Sequence, residues 1–269
     1  MFDWGPLLAE GPLFIGILNL TPDSFSDGGC YTDVPAALAQ ARRLQAQGCR
    51  MLDLGAESTR PGASPVAPSE EWQRLEPVLL KLRSEFPALP LSVDSRHAGV
   101  AERALACGAR VLNDVTGFRD PAMLSLARDT GCGLIAMRSR VRDGRLWMPD
   151  YGAPASGLDT TSEMAEILER HRLAGIRECR ILLDPGFGFG TTFEEDLALW
   201  ERLPRLQSLL GWPSGRLCLG LSRKRFVAWK SGRPELPAAE RDAPTAALHS
   251  EAFGMGIRVF RTHAAHPLP

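Results

Sequence analysis

The sequence has almost no net charge, since its 31 basic and 32 acidic residues leave −1 at pH 7. Without a surplus of basic residues, the chain has no electrostatic footprint for nucleic acid or for an anionic membrane surface. It also lacks any stretch close to the ~20 consecutive apolar residues that a membrane-spanning helix needs. We therefore expect neither a nucleic acid nor a membrane as a partner, and any bound anion must be met by a few placed cations.

Cysteine pairs are absent as well. The six cysteines stand singly, with no C-x-x-C pair and no histidine at metal-ligand spacing, which argues against a zinc site and against a disulfide framework. The first ten residues contain two acids, no base and no long apolar segment, so they do not resemble a signal peptide. These absences predict a reduced, cytoplasmic location.

The apolar residues are grouped in eight short runs, separated by polar or glycine-rich loops and by helical patterns. The runs are continuous rather than alternating, which is typical of parallel strands covered on both faces. The predicted strands are Leu13–Leu20, Arg50–Gly55, Pro90–Asp94, Arg110–Val115, Gly133–Met137, Arg180–Asp184, Leu217–Leu221 and Arg258–Arg261. The clearest helical patterns between them are Val34–Gln47, Ser69–Phe86 and Met164–Ala174.

Eight strands that alternate with helices predict an α/β fold of the (β/α)8 TIM-barrel type, and an open doubly wound sheet is the alternative. No linker or change of composition divides the 269 residues, so residues 1–269 are predicted to form a single domain. Only Ala264–Pro269 follow the last strand, too few for the helix that usually closes a barrel. We therefore predict an exposed apolar groove between the first and seventh helices, which the partner subunit of a homodimer would cover.

Polar side chains stand at the carboxyl ends of the predicted strands, where barrel enzymes collect their chemistry. Asp94, Asn113 and Asp184 come from three different strands and could form a wall of hydrogen-bond acceptors. Such a wall suits a flat heterocycle that presents ring N–H and amino donors, because an ionised carboxylate only accepts hydrogen bonds.

A second set of residues near the strand ends is cationic, and its members are Arg60, Lys224, Arg261 and His263. These cations suit phosphate oxygens, to which arginine offers a bidentate fork. The simpler alternative is that these residues form ion pairs with the carboxylates. Taken together with the acceptor wall, the cationic set indicates a site for a phosphorylated heterocycle.

Four motifs in the sequence resemble those of a known family. They are the two loops Asn19–Gly29 and Glu57–Gly62, the segment Leu183–Phe189 and the segment Leu221–Lys224. In this order, each at the end of a predicted strand, they resemble the signature motifs of the dihydropteroate synthase family. The resemblance extends from Leu13 to His263, nearly the whole chain.

This resemblance implies a pterin-binding barrel that acts as a transferase in folate biosynthesis, joining a pterin-methyl pyrophosphate to p-aminobenzoate with Mg²⁺ as cofactor. By similarity, the pterin would be held by Asp94, Asn113, Asp184 and Lys224, and the pyrophosphate would be met by Arg261 and His263. Thr59 and Arg60 of the second loop would also bind substrate, and the p-aminobenzoate would be framed by Ser222, Phe25, Pro61 and Phe189. Asn19 would contribute to the magnesium site, and the residues implied to carry catalysis are Asn19, Asp94, Lys224, Arg261 and His263.

The sequence departs from the family pattern after the fifth strand, where Met137 is followed by Arg138-Ser139-Arg140 instead of the usual His-Met. This difference, together with the short segment after the last strand, motivates an alternative: a degenerate paralogue that binds pterins without turnover. A pterin-dependent methyltransfer barrel is a further alternative. The segments Ser58–Pro61 and Ser222–Lys224 argue against it, because cations that bind pyrophosphate have no role in methyl transfer.

Overall fold

The strands of the protein are built from the apolar runs. A computed structural model describes residues 1–21, 33–58, 63–142 and 145–269. Within these residues the strands are β1 Leu13–Asn19, β2 Met51–Gly55, β3 Leu91–Asp94, β4 Val111–Asp114, β5 Gly133–Met137, β6 Val141–Arg142, β7 Arg145–Leu146, β8 Ile181–Asp184, β9 Cys218–Leu219 and β10 Val259–Thr262. The bounds of the barrel strands agree with the predicted ones to within about two residues, and β6 and β7 pair as a small antiparallel two-stranded sheet that the sequence patterns did not predict.

The helices alternate with these strands. Those described are α1 Gly5–Ala9, α2 Val34–Ala46, α3 Pro68–Glu85, α4 Ala98–Ala106, α5 Pro121–Thr130, α6 Thr160–Leu173, α7 Phe193–Arg202, α8 Leu206–Leu210, α9 Arg225–Lys230 and α10 Asp242–Gly254. Local chemistry sets their ends. The N-cap of α7, for example, is a capping box in which Thr192 and Glu195 satisfy each other's backbone amides. None of the described helices is long and apolar enough to cross a membrane.

Eight strands form one parallel sheet that closes into a barrel. Their order is β8-β5-β4-β3-β2-β1-β10-β9, and a parallel bridge between Leu183 and Leu217 joins the two edges of the sheet. The (β/α)8 prediction is confirmed. The open sheet is excluded, because in an open sheet the two edge strands would lie far apart, whereas here they are joined. The seventh barrel strand, β9, is the shortest, because the chain leaves the sheet at Gly220 and turns towards α9.

The barrel interior changes from apolar to polar along the strands. Its amino-terminal half is filled by an apolar cluster whose members are Phe2, Trp4, Leu13, Ile15, Met51, Val111, Ile135, Leu182, Cys218 and Val259. The fully buried Trp4 lies in this end of the barrel and donates its indole N–H to the Arg180 carbonyl at 2.8 Å. Because side chains alternate along a strand, the residues two positions further on face the same interior.

The segment after the last strand corrects one expectation. Residues 263–269 form no helix, but the predicted exposed groove is not found, because this segment packs against the barrel wall. The His266 ring stacks on that of His249 in α10, with centroids 5.1 Å apart, and meets the Phe14 ring of β1 at 5.2 Å. Leu268 also packs against the main core. Among the described residues, no large apolar side chain of α2 or α10 is strongly exposed.

Candidate active site

The centre of the polar layer is a buried ionic cluster inside the barrel. Asp53 is fully buried, and its Oδ2 accepts hydrogen bonds from Arg261 Nε at 2.5 Å and from Asn113 Nδ2 at 2.8 Å. The same guanidinium reaches a second carboxylate, since Arg261 Nη2 donates to Asp94 Oδ2 at 2.7 Å. Arg261 therefore links Asp53 and Asp94, and side chains from strands β2, β3, β4 and β10 are joined in one network.

Strand register explains why these residues meet. Asp53 and Arg261 lie on the two strands that flank β1, and they pair there with Ile17 and Ile15 respectively. Asp94 pairs with Asn113 on one side and with Gly55 on the other. The Asp94 side chain lies against the face of Gly55, where a Cβ atom would be 3.4 Å from the Asp94 Cβ and 3.6 Å from its Oδ2.

A second pair of charged groups, Asp184 and Lys224, faces the same interior. Both approach the face of Gly220, where a Cβ atom would lie 3.1 Å from Asp184 Oδ2 and 3.5 Å from Lys224 Nζ. Asp184 Oδ1 accepts a hydrogen bond from the Gly186 amide at 2.8 Å. The Lys224 ammonium lies 4.5 Å from the centroid of the Phe189 ring, within the range of a cation–π contact.

Burial shapes the titration of these groups. Loss of water lowers the pKa of Lys224 to about 8, although the charge of Asp184 opposes the change. Burial also raises the pKa of Asp184, opposed by Lys224, and the pKa of Asp94, opposed by Arg261. Burial disfavours the charged form of Arg261 too, but Asp53 and Asp94 outweigh it and raise the pKa of the guanidinium. These groups therefore form a coupled charge system in a site of low dielectric.

The turn that carries Lys224 is held in an unusual backbone conformation. Arg223 has a φ of 62°, in the left-handed region that non-glycine residues seldom adopt. Its guanidinium forms two hydrogen bonds of 2.8 Å with the Asp242 carboxylate, and its carbonyl accepts from Arg241 at 2.8 Å. These contacts offset the strain of the turn and direct Ser222 and Lys224 towards the barrel axis.

The rim of the site is formed by the ends of β1, β9 and β10. Ser222 Oγ and His263 Nδ1 lie 3.0 Å apart, and the same hydroxyl accepts a hydrogen bond from the His263 amide at 3.1 Å. Asn19 ends β1 and is half-buried. It faces the interior because it follows Leu13 and Ile15 at even spacing, and it pairs with Gly55.

Those predicted site residues that the structure describes lie together in one region. The polar interior and its rim contain Asn19, Asp94, Asn113, Asp184, Phe189, Ser222, Lys224, Arg261 and His263. The predictions for Phe25, Thr59, Arg60 and Pro61 lie outside the described residues. The alternative to phosphate binding was that the cationic residues form ion pairs with the carboxylates. Arg261 does form such ion pairs, with two carboxylates.

Sequence reasoning assigned no role to Asp53, although the structure places it at the centre of the network. A signal was present: a carboxylate stands in the middle of an apolar run, two residues after Met51, on the face that points inwards. A charge at such a position must be paired or hydrogen-bonded, because an isolated buried charge is costly. Its partner, Arg261, lies 208 positions away in the sequence, so no local pattern identifies it.

Comparison with known proteins agrees with this geometry. Residues 15–263 match the model of a family described as "Pterin binding enzyme". The dihydropteroate synthase of Neisseria meningitidis serogroup C is 38% identical over 94% of this chain and 88% of its own length. That of Bacillus subtilis (strain 168) is 37% identical over 94% of this chain and 84% of its own.

Solved structures of high similarity carry the same name. Xanthomonas albilineans dihydropteroate synthase with 4-aminobenzoic acid superposes with a TM-score of 0.80 at 39% identity, covering 94% of this chain and 88% of the other. The same enzyme in complex with 7,8-dihydropteroate gives a TM-score of 0.77 at 37% identity, with the same coverage. The chain therefore belongs to the dihydropteroate synthase family of pterin-binding enzymes.

Proposed function

We propose that this chain condenses 6-hydroxymethyl-7,8-dihydropterin pyrophosphate with p-aminobenzoate, giving 7,8-dihydropteroate and pyrophosphate in folate biosynthesis. The observation that carries the proposal is the convergence of Asp94, Asn113, Asp184 and Lys224 on one interior face of the barrel. The family membership and the ligands named for the Xanthomonas albilineans enzyme support it.

The pterin ring would be recognised by its pattern of donors and acceptors. The carboxylates of Asp94 and Asp184 and the side-chain oxygen of Asn113 offer acceptors to ring N–H and amino groups. The Lys224 ammonium offers donors to the acceptor atoms of the ring. Because the site is largely shielded from water, each of these hydrogen bonds would discriminate strongly against a ring with a different pattern.

The chemistry requires a site that stabilises a departing pyrophosphate. When the C–O bond breaks, positive charge spreads into the pterin and negative charge collects on the leaving group. Arg261 is fixed by Asp53 and Asp94 before any substrate arrives, so its positive charge is preorganised, and His263 adds a donor at the rim. The arylamine is nucleophilic when neutral, so the attack on the pterin-methyl carbon needs no dedicated general base. The nitrogen becomes cationic as the C–N bond forms and then loses one proton to water.

A magnesium ion is part of the proposal, and Asn19 is its proposed protein ligand. Mg²⁺ prefers oxygen ligands and commonly takes only one or two from the protein, the rest coming from substrate phosphates and water. Asn19 fits this pattern, because its side chain carries a single amide oxygen and stands at the carboxyl end of β1. When bound, the ion would neutralise charge on the pyrophosphate.

Other parts of the proposal concern the surroundings of the site. Ser222 and Phe189 would frame the p-aminobenzoate together with Phe25 and Pro61, and Thr59 and Arg60 would also bind substrate. We also propose that the protein is cytoplasmic and forms a homodimer, and that the pterin binds before the arylamine.

The proposed reaction is tested by pyrophosphate release. The purified protein is given the pterin pyrophosphate and Mg²⁺, with and without p-aminobenzoate, and pyrophosphate and dihydropteroate are followed together. We expect release that depends on p-aminobenzoate, with one dihydropteroate formed for each pyrophosphate. Tight binding of the pterin pyrophosphate without release would instead support the degenerate paralogue.

Replacing Asp94 by Asn tests the acceptor wall. Asp94→Asn should weaken pterin binding by about 1.5–3 kcal/mol, the usual value of a hydrogen bond to a charged group. This corresponds to roughly ten- to a hundredfold in Kd, measured by calorimetric titration. The matched control is Asp114→Asn, one strand away, where the carboxylate accepts hydrogen bonds from the amides of Thr116 and Phe118.

The control should lower the melting temperature and leave the Kd for the pterin unchanged. Equal losses of pterin affinity in both variants, in proportion to their losses of stability, would refute a direct role of Asp94 in recognition.

The pH dependence of pterin binding tests Lys224. Since its pKa is lowered to about 8, the ammonium is charged below that pH and becomes neutral as the pH rises through it. Pterin affinity should therefore fall as the pH rises from about 7 to 9, over the range in which such a group titrates. Lys224→Met should bind more weakly throughout and lose this decline, because the remaining titration in this range, that of Asp94 with its pKa raised to about 7, strengthens an acceptor as the pH rises. A decline that persists unchanged in Lys224→Met would assign the titration to another group.

A further inference from the structure

Arg138, which follows β5 directly, is a fully buried arginine that the proposed chemistry does not use. It stands where the sequence departs from the family pattern. Its backbone amide donates to the Asp184 carbonyl at 2.9 Å. Its side chain continues along the same segment, since Nε donates to the Pro185 carbonyl at 2.7 Å and Nη2 to the Gly186 carbonyl at 2.5 Å. Arg138 thus binds three successive carbonyl groups, those of the last residue of β8 and of the two residues that follow it.

The contact between these two segments is very close. Gly186 has a φ of 71°, and a Cβ atom on it would lie 1.8 Å from the carbonyl oxygen of Arg138. A side chain at position 186 is therefore excluded both by conformation and by space. The hydrogen bonds from the guanidinium hold the Gly186 peptide at this short distance.

The buried charge of Arg138 is compensated by one ion pair and by a second carboxylate beyond ion-pair distance. Its nearest carboxylate is Glu163 of α6, with Nη1 and Oε2 3.3 Å apart. Burial lowers the pKa of the guanidinium, opposed by Asp196 and Glu163. Two of the three guanidinium nitrogens, Nε and Nη2, are nevertheless used for backbone carbonyls, so these hydrogen bonds fix the backbone of Pro185 and Gly186.

Gly186 connects Arg138 to the pterin site. Its amide donates to Asp184 Oδ1 at 2.8 Å, which fixes one oxygen of that carboxylate. The other oxygen, Oδ2, then points to the Gly220 face, where Lys224 Nζ also lies. The peptide group between Pro185 and Gly186 therefore links the two side chains: its carbonyl accepts a hydrogen bond from the Arg138 guanidinium, and its amide donates one to the Asp184 carboxylate.

We propose that Arg138 is a positioning residue of the pterin site: by holding the Pro185 and Gly186 carbonyls, it directs the Gly186 amide onto Asp184 and so sets the direction of that carboxylate. Arg138 acts on the site through the Gly186 amide and Asp184, and its charge also acts to lower the pKa of Asp184 and of Lys224; the charge-conserving lysine variant described below separates the two effects. The inference rests on the proposed role of Asp184 in pterin binding.

The chain contains a matched control for this role. Arg180, just before β8, is 2% exposed against 0% for Arg138. It too binds backbone carbonyls, with Nε donating to Cys132 at 2.8 Å and Nη2 donating to Ala127. The two arginines are thus both buried and both bind backbone carbonyls. Arg138 has in addition the ion pair with Glu163, and Arg180 lies at the amino-terminal end of the strand, away from the site.

The experiment compares Arg138→Gln with Arg180→Gln. For each variant, the melting temperature, the Kd for 6-hydroxymethyl-7,8-dihydropterin pyrophosphate without p-aminobenzoate, and the KM for p-aminobenzoate at saturating pterin are measured. Arg138→Gln should raise the pterin Kd by about ten- to a hundredfold, the range expected when a hydrogen bond to a charged group is lost, with little change in the KM for p-aminobenzoate. Arg180→Gln should lower the melting temperature and leave the pterin Kd unchanged.

Two further variants separate the outcomes. Arg138→Lys, which keeps the charge and reaches one carbonyl, should fold and give an intermediate Kd. An unchanged Kd in Arg138→Lys and Arg138→Gln, or equal changes in Arg138→Gln and Arg180→Gln, overturns the inference.

Asp184→Asn is measured alongside. If it leaves the pterin Kd unchanged, the proposed role of Asp184 fails, whereas a weakened Asp184→Asn with an unaffected Arg138→Gln refutes the positioning role alone.

Discussion

The ion pairs of Arg261 with Asp53 and Asp94 are the interaction on which the rest of the site depends. A guanidinium and a fully buried carboxylate can share the interior of a barrel only if each satisfies the other, since unpaired charges in such a place would be strongly destabilising. Their pairing allows the half of the barrel at the carboxyl ends of the strands to be polar, while the half at the amino-terminal ends is an apolar core. It also means that the cation proposed to meet the pyrophosphate is already oriented in the free protein.

The barrel separates stability from chemistry along a single strand. At the amino-terminal end of β8, Arg180 binds backbone carbonyls and its own carbonyl accepts the indole N–H of Trp4. At the carboxyl end, Arg138 makes the same kind of contact beside Asp184. Similar contacts to backbone carbonyls thus lie at both ends of one strand, and those at the carboxyl end adjoin the proposed pterin site, in agreement with the general division of (β/α)8 barrels into a stabilising and a reactive face.

Much of this arrangement could be predicted from the sequence. Continuous apolar runs gave the strands, and the residues that end them, such as Asp94, Asn113 and Asp184, could be assigned to one face because parallel strands end at the same edge. The signature segments added the family. These inferences succeeded because the position of a strand, and with it the residue at its end, can be predicted from the local sequence pattern.

The contacts across the barrel could not be predicted in this way. The partner of Asp53 is set by strand register and by the closure of the sheet, and neither has a local signature. The segment after β10 was expected to leave a groove, but its packing depends on rings of His266 and His249 that meet only in the folded chain. Arg138 was recognised as a departure from the family, yet its contacts with Pro185 and Gly186 follow from the neighbouring positions of β5 and β8.

The most direct test of the central claim is a crystal structure of the protein with 7,8-dihydropteroate. The account predicts that the pterin ring lies inside the barrel mouth, within hydrogen-bonding distance of Asp94, Asn113 and Asp184, with Lys224 at its edge. It also predicts that Arg261 keeps its contact with Asp53 in the complex. A ring bound elsewhere, with the four side chains paired only among themselves, would contradict the account and would leave the polar layer with a structural role alone.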